Sequence, residues 1–88
     1  MFRLWVKEIH DNHLIKDTTI IDGSVDTRTH KVLRALEQSC QEFDLSVPIW
    51  LDSNIKEFKS LSKTRFGKDS FIETVSFDYL EIQILEED

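Results

Sequence analysis

The stretch of sequence that decides the fold is the C-terminal run Phe77-Asp78-Tyr79-Leu80-Glu81-Ile82-Gln83-Ile84-Leu85-Glu86. Within this run, three aliphatic residues alternate with more polar ones, and a period of two over this length is typical of a β-strand with one buried face. The N-terminal run alternates in the same way at Phe2, Leu4 and Val6. We therefore expect the two runs to lie side by side in one sheet, with an apolar face that another element must cover.

The N-terminal region predicts a hairpin with strands over residues 2–10 and 14–21. The connection between them is Asp11-Asn12-His13, and Asp and Asn tolerate the left-handed backbone of tight turns. A three-residue loop sets Glu8 opposite Lys16, whereas a two-residue loop sets Lys7 opposite Lys16. Because opposite charges across a strand pair are favourable and like charges are not, we predict the three-residue register.

An amphipathic helix is predicted from about residue 27 to Phe43, with Asp26 or Thr27 capping its first turn. Its apolar residues recur three and four positions apart, whereas charged residues such as Lys31 fill the opposite side. The predicted apolar stripe is Val32, Leu33, Leu36, Cys40 and Phe43. This stripe would cover the apolar face of the sheet.

The remaining segments complete the predicted architecture. Asp52 and Ser53 cap a second, short helix, residues 63–69 form a polar loop, and residues 71–75 form either a strand or a loop. Separate runs of strands and helices indicate the α+β class. We predict a single α+β domain over residues 1–88, with a small antiparallel sheet of three to four strands and one long amphipathic helix on one face.

Composition and charge limit the functions that are expected. The formal net charge is −6, and phosphate backbones repel such a surface, which disfavours nucleic-acid binding. Cys40 is the single cysteine and cannot form an internal disulfide, and no apolar run is long enough to span a bilayer. We expect a cytoplasmic protein without a cofactor, a small-molecule ligand or a membrane partner.

Two sets of polar side chains suggest chemistry, but both have a simpler interpretation. His10 and His13 flank Asp11 and could ligate Zn²⁺, yet nothing else near them in sequence completes a site, so we predict incidental turn residues and no metal. Cys40 lies on the apolar stripe, about 15 Å of helical rise from His30, and is expected to be a buried, inert thiol. We therefore predict no catalytic residue and no enzyme.

The start of the long helix is a weak candidate for anion binding. Arg28, His30 and Lys31 lie there, and free N–H groups at a helix N-terminus attract anions. Their spacing matches no phosphate-binding loop. The preferred interpretation is a solvated helix start in which Arg28 pairs with a neighbouring acid.

The preferred binding candidates combine Trp5 with the basic segment over residues 63–68. Trp5 alternates out of phase with Phe2, Leu4 and Val6, so its face is either partly covered or exposed, and partly exposed aromatic residues dominate contact hot spots. Loops of mixed charged and aromatic character are common in binding sites. The candidates in this segment are Lys63, Arg65, Phe66 and Lys68.

Three segments carry a family resemblance: Pro48-Ile49-Trp50-Leu51-Asp52, Lys63-Thr64-Arg65-Phe66 and Phe77-Asp78-Tyr79-Leu80-Glu81-Ile82. They resemble segments of small uncharacterised cytoplasmic proteins common in anaerobic Gram-positive bacteria, and the similarity extends over most of the chain. The resemblance implies a bacterial, single-domain protein. It transfers no active site to this sequence.

The leading functional hypothesis is a non-enzymatic protein-interaction or accessory module with an unknown partner. One alternative is a self-associating structural homodimer, formed through an exposed strand face or edge. Another is an acidic mimic of nucleic acid that blocks a basic protein, because residues 69–88 carry acidic side chains and no Lys or Arg. The carboxylates that motivate this mimic include Glu81, Glu86, Glu87 and Asp88.

Overall fold

A computed structural model describes residues 1–87 and shows an α+β fold with a four-stranded antiparallel sheet and two helices. The strands are β1 (Phe2–His10), β2 (His13–Asp22), β3 (Lys63–Phe66) and β4 (Tyr79–Glu86), and the helices are α1 (Arg28–Glu42) and α2 (Asp52–Leu61). The strand order is β2-β1-β4-β3, so the strands near the two chain ends lie side by side in the centre of the sheet. The predicted fold class and the predicted pairing of these two runs are confirmed.

One face of the sheet carries the hydrophobic core. The alternation predicted for β1 and β4 places Leu4, Val6, Leu80 and Ile82 on this face, where all four are fully buried. Helix α1 packs on β1 and β2, and α2 packs on β3. The apolar face of the sheet is therefore covered by two helices, of 15 and 10 residues. We call the opposite side of the sheet the open sheet face.

The first hairpin has the turn of the two-residue register and the charge pairing of the three-residue register. Its turn has two residues, Asp11 and Asn12, with φ angles of 52° and 63°, as tight hairpin turns require. His10 therefore lies opposite His13, which corrects the predicted three-residue loop. A shift between Glu8 and Ile9 then adds one residue to β2, so that Glu8 still lies opposite Lys16 as predicted.

Helix α1 begins at Arg28, directly after Thr27, which is one of the two predicted caps. The Thr27 side chain accepts a hydrogen bond from the His30 N–H at 3.2 Å. Its buried stripe is rotated slightly from the predicted one. Leu33 is 47% exposed, whereas Lys31 is buried, because positions 31, 35 and 39 align along the helix. A long lysine side chain can cover apolar surface in this way, and the rotation turns Leu33 outward.

Residues 63–66 form strand β3 rather than the predicted polar loop. Thr64 and Phe66 point into the core, while Lys63 and Arg65 lie on the open sheet face. Residues 71–78 contain no strand; Phe71 and Phe77 pack edge to face at 5.5 Å between ring centroids and complete the core from a loop. No helix within residues 1–87 is long and apolar enough to cross a bilayer.

Candidate functional site

The open sheet face is crossed by one row of alternating charges, which we call the charge ladder. In the strand register, Asp17 lies opposite Lys7, Lys7 opposite Glu81, and Glu81 opposite Arg65. The Lys7 ammonium contacts one oxygen of Glu81, and Arg65 Nε donates to the other at 2.7 Å. Opposite charges therefore face each other from one edge of the sheet to the other.

Glu81 is the most enclosed member of the ladder, with its side chain only 8% exposed. Burial by itself would raise the pKa of this carboxyl group, but hydrogen bonds and charges from Lys7 and Arg65 outweigh burial and lower it. Glu81 is therefore an ionised carboxylate with both oxygens engaged. Such a group supports the sheet and has no free oxygen to offer to a ligand.

Trp5 is held by the same ladder. Its indole nitrogen donates a hydrogen bond to Asp17 Oδ2 at 2.7 Å, and the Lys7 ammonium lies 3.8 Å from the ring centroid. The Trp5 side chain is half-buried among these groups and does not protrude from the surface. The polar atom that a partner would most readily use is already engaged.

The residues predicted to form a contact surface with Trp5 are separated by the fold. Lys63 and Arg65 do share the open sheet face with Trp5, but Phe66 lies on the opposite face, fully buried, with its ring 4.9 Å from that of Trp50. The prediction that Phe66 is a surface residue is therefore corrected. Lys68 is exposed in a 3₁₀ turn (Lys68–Ser70) near Asp78.

Arg28 and His30 at the start of α1 contact acids of the same chain. Arg28 Nε lies 3.0 Å from Glu87 Oε1, which is the kind of pairing that was predicted, and His30 Nδ1 lies 2.9 Å from Asp26. Lys31 is buried. A hydrogen bond from the Thr27 N–H, followed by those from Arg34 and His30, lowers the pKa of Asp26 to about 2. This helix start is an internal charge cluster.

Cys40 lies in the core, as its place on the apolar stripe predicted. Burial raises the pKa of its thiol to about 11, with further contributions from the negative charges of Glu73 and Glu8. A thiol with such a pKa stays protonated at neutral pH and is a poor nucleophile.

A groove of about 380 Å³ between α1 and α2, here called the interhelical groove, has a different character. Its walls are apolar and come from both helices and from the segment that joins them, and two cations lie on its rim. The apolar residues are Val32, Leu33, Trp50, Ile55 and Phe58, and the cations are Arg28 and Lys59. Pockets of this size and lining are typical of binding sites.

Several groups in the interhelical groove lack partners within residues 1–87. Leu33 and Ile55 are 47% and 40% exposed, and Lys59 takes part in no ion pair of the described chain. The indole nitrogen of Trp50 is buried without an acceptor among the described residues, which typically costs about 1–3 kcal/mol.

A scan against protein-family models, a search of curated proteins and a search of solved structures each find no match to this chain. The resemblance to small bacterial proteins therefore stays a prediction.

Proposed function

We propose that this chain is a non-enzymatic protein-interaction module that binds an acidic amphipathic helix of a partner protein in the interhelical groove. The observation that carries the proposal is the groove itself, where exposed apolar side chains lie between cations on a chain with a net charge of −6. An amphipathic helix places its apolar face in such a groove, and this is a recurring mode of protein recognition.

The contrast with the open sheet face supports this choice of surface. On that face Trp5, Lys7 and Arg65 already have partners, so a binding protein would have to replace existing hydrogen bonds. In the groove, Leu33 and Ile55 present apolar surface to water. Covering such surface yields roughly 25 cal/mol per Å², and burial of these two apolar side chains breaks no hydrogen bond of their own.

Charge complementarity defines the chemistry of the partner. Arg28 lies over the Phe58 ring at 5.4 Å and donates to Ser62 at 3.1 Å, and its charge is already paired with Glu87 at 3.0 Å. Lys59 adds a second charge on the rim. A helix with Asp or Glu beside its apolar stripe fits the charge of Lys59, and a Lys-flanked helix fits it less well.

A pair of synthetic peptides tests the proposal directly. One carries leucines at helical spacing flanked by glutamates, and the other has the same leucines flanked by lysines. We expect the glutamate peptide to bind at least about tenfold more tightly in a fluorescence anisotropy titration, a difference of about 1.4 kcal/mol. Its affinity should fall as salt is added, since exposed charges are screened.

Matched variants locate the binding. Leu33→Asp and Lys59→Glu should each weaken the glutamate peptide about tenfold or more. Ile72→Asp, at a position that is 88% exposed and outside the groove, and Lys56→Glu, on α2 but outside the groove lining, should change it far less. Equal affinity for the two peptides, or equal losses in groove and control variants, would contradict the proposal.

The homodimer remains a second candidate because of one specific observation at the edge of the sheet. Strand β2 pairs only with β1 among the described residues, and Leu14, Ile15 and Ile21 on this ten-residue edge strand are each more than half exposed. Exposed apolar edges favour pairing with a second chain. Light scattering should then show a dimer that Ile15→Lys returns to a monomer, whereas a monomer at high concentration would remove this candidate.

The acidic-mimic hypothesis has no comparable support. Glu86 lies 3.2 Å from the N-terminal amino group, Glu87 pairs with Arg28, and Glu81 is part of the charge ladder. Asp88 lies outside the described residues. For the location of the protein, we retain the cytoplasm as a proposal, which the single buried thiol of Cys40 supports.

A further inference from the structure

We propose that the tip of the first hairpin binds a divalent transition-metal ion such as Zn²⁺ through His10, Asp11 and Asp78. His10 ends β1, Asp11 opens the turn, and Asp78 directly precedes β4. The sequence suggested His10, Asp11 and His13 but could not supply a further ligand, because Asp78 is 67 positions away from Asp11. The fold brings this carboxylate to the turn, on a surface unrelated to the interhelical groove.

The distances between the candidate ligand atoms suit a small metal ion. His10 Nδ1 lies 3.4 Å from Asp78 Oδ1, whereas Asp11 Oδ2 lies 3.4 Å from the other ring nitrogen, Nε2, so an ion bound at Nδ1 has Asp78 beside it and requires the Asp11 side chain to rotate. One ligand atom from each of the three residues can be chosen so that all lie within 4.8 Å of one another. A tetrahedral Zn²⁺ site with bonds of about 2.0–2.1 Å places its ligand atoms about 3.3–3.4 Å apart.

Asp78 is held in place before any ion binds. Its backbone N–H donates to the Ile9 carbonyl at 2.9 Å, and its Oδ2 accepts a hydrogen bond from the Asp11 N–H at 2.9 Å. These bonds leave Oδ1 facing the His10 ring.

The remaining ligands would come from exposed side chains on the same turn. Asp11 is 80% exposed, so its side chain can rotate toward the ion without breaking core contacts. His13 lies directly opposite His10 in the hairpin, and side chains at paired positions have Cβ atoms about 4.5–5.5 Å apart. A rotation of His13 would add a fourth ligand. Two imidazoles with two carboxylates favour Zn²⁺-like ions over Mg²⁺ or Ca²⁺, which prefer oxygen ligands alone.

Calorimetry with zinc chloride and the untagged full chain tests this site. We expect one Zn²⁺ per chain, with little or no heat from calcium chloride. His10→Ala and Asp78→Asn should each weaken Zn²⁺ binding by about tenfold or more. Asp78→Asn retains an oxygen that can accept from the Asp11 N–H, and circular dichroism of each variant checks that the fold is intact.

His30→Ala is the matched control. Its ring contacts Asp26 at 2.9 Å, but among the described residues it belongs to no three-residue group that could hold an ion. This variant should bind Zn²⁺ as the unmodified chain does. Absence of Zn²⁺ binding, or binding that survives in both His10→Ala and Asp78→Asn, would overturn the proposal, as would an equal loss in His30→Ala. Visible absorption after Co²⁺ substitution should show the intense bands of a low-coordinate site, and these should vanish in His10→Ala.

Discussion

The open sheet face and the interhelical groove are both solvent-facing, but they satisfy their side chains in opposite ways. On the open face, Glu81 is flanked by Lys7 and Arg65, and Trp5 donates to Asp17. In the groove, apolar walls meet water and Lys59 has no ion-pair partner among the described residues. The polar side chains of the open sheet face therefore have partners within the chain, whereas the apolar side chains of the interhelical groove remain exposed to water.

This difference explains why a cluster of charged and aromatic residues is an incomplete guide to a binding surface. Trp5 and Arg65 have the residue types that dominate contact hot spots. Their partners, however, lie within the same chain, so the interaction energy is already part of the folded state. What distinguishes a docking surface is the free energy that remains to be gained, and exposed Leu33 and Ile55 represent such a gain.

The largest expected effect on stability comes from the buried face of the sheet, in comparison with the open sheet face. Phe66→Ala should destabilise the fold by about 3–5 kcal/mol, because it removes a fully buried ring that packs on Trp50. Urea denaturation followed by circular dichroism measures this loss, with a stabilising osmolyte present if the variant unfolds in water. Tyr79→Ala, on the open face and 39% exposed, is the control and should cost far less. A loss in unfolding free energy below about 1 kcal/mol for Phe66→Ala would contradict the placement of this ring in the core.

The next effect tests whether the ion pairs of the charge ladder stabilise the fold. Glu81→Gln should cost about 1–3 kcal/mol at neutral pH, because two cations lose a charged, buried partner. Since the pKa of Glu81 is lowered in the fold, this stabilisation is present above the unfolded pKa and is lost as the pH falls through the folded value. The difference in unfolding free energy from the unmodified chain should therefore shrink in acid. Glu86→Gln, at a side chain that is 48% exposed, is the matched control.

The smallest effect has the opposite sign and involves Glu8, which lies on the helix-covered face. Burial raises the pKa of Glu8, and Lys16 at 3.6 Å offsets this only in part. A carboxyl group with a raised folded pKa contributes stability below its unfolded pKa and loses it as the pH rises through the folded value. Glu8→Gln should therefore stabilise the fold at neutral pH by less than about 1 kcal/mol. Destabilisation of similar size to that of Glu81→Gln would contradict this prediction, because it would mean that Lys16 more than compensates for the burial of Glu8.

The sequence predicts the parts of this molecule that repeat regularly over many residues. The alternation of β1 and β4 was long enough to predict their pairing, and the charges of Glu8 and Lys16 predicted that these two residues lie opposite each other in β1 and β2. Strand β3 was missed because four residues give too short an alternation to distinguish it from a loop. The bulge in β2 was missed because two turn lengths can lead to the same pairing of charges.

The candidate sites were harder to predict, because each joins residues that are distant in sequence. The interhelical groove needs Leu33 and Ile55 to face each other from two helices, and the hairpin tip needs Asp78 beside His10. No local pattern encodes such proximity. Leu33 was assigned to the buried stripe because a spacing of three or four residues tolerates a rotation of the helix by a fraction of a turn.

The two tryptophans provide the most direct test of where this protein binds, because Trp50 lines the interhelical groove and Trp5 lies on the open sheet face. Each gives a separate indole N–H signal in a two-dimensional ¹⁵N–¹H NMR spectrum. During a titration with the glutamate-flanked helical peptide, the Trp50 signal should shift together with the Leu33 and Ile55 amides, while the Trp5 signal stays in place. A spectrum in which Trp5 shifts and Trp50 does not, or in which neither responds, would contradict the account.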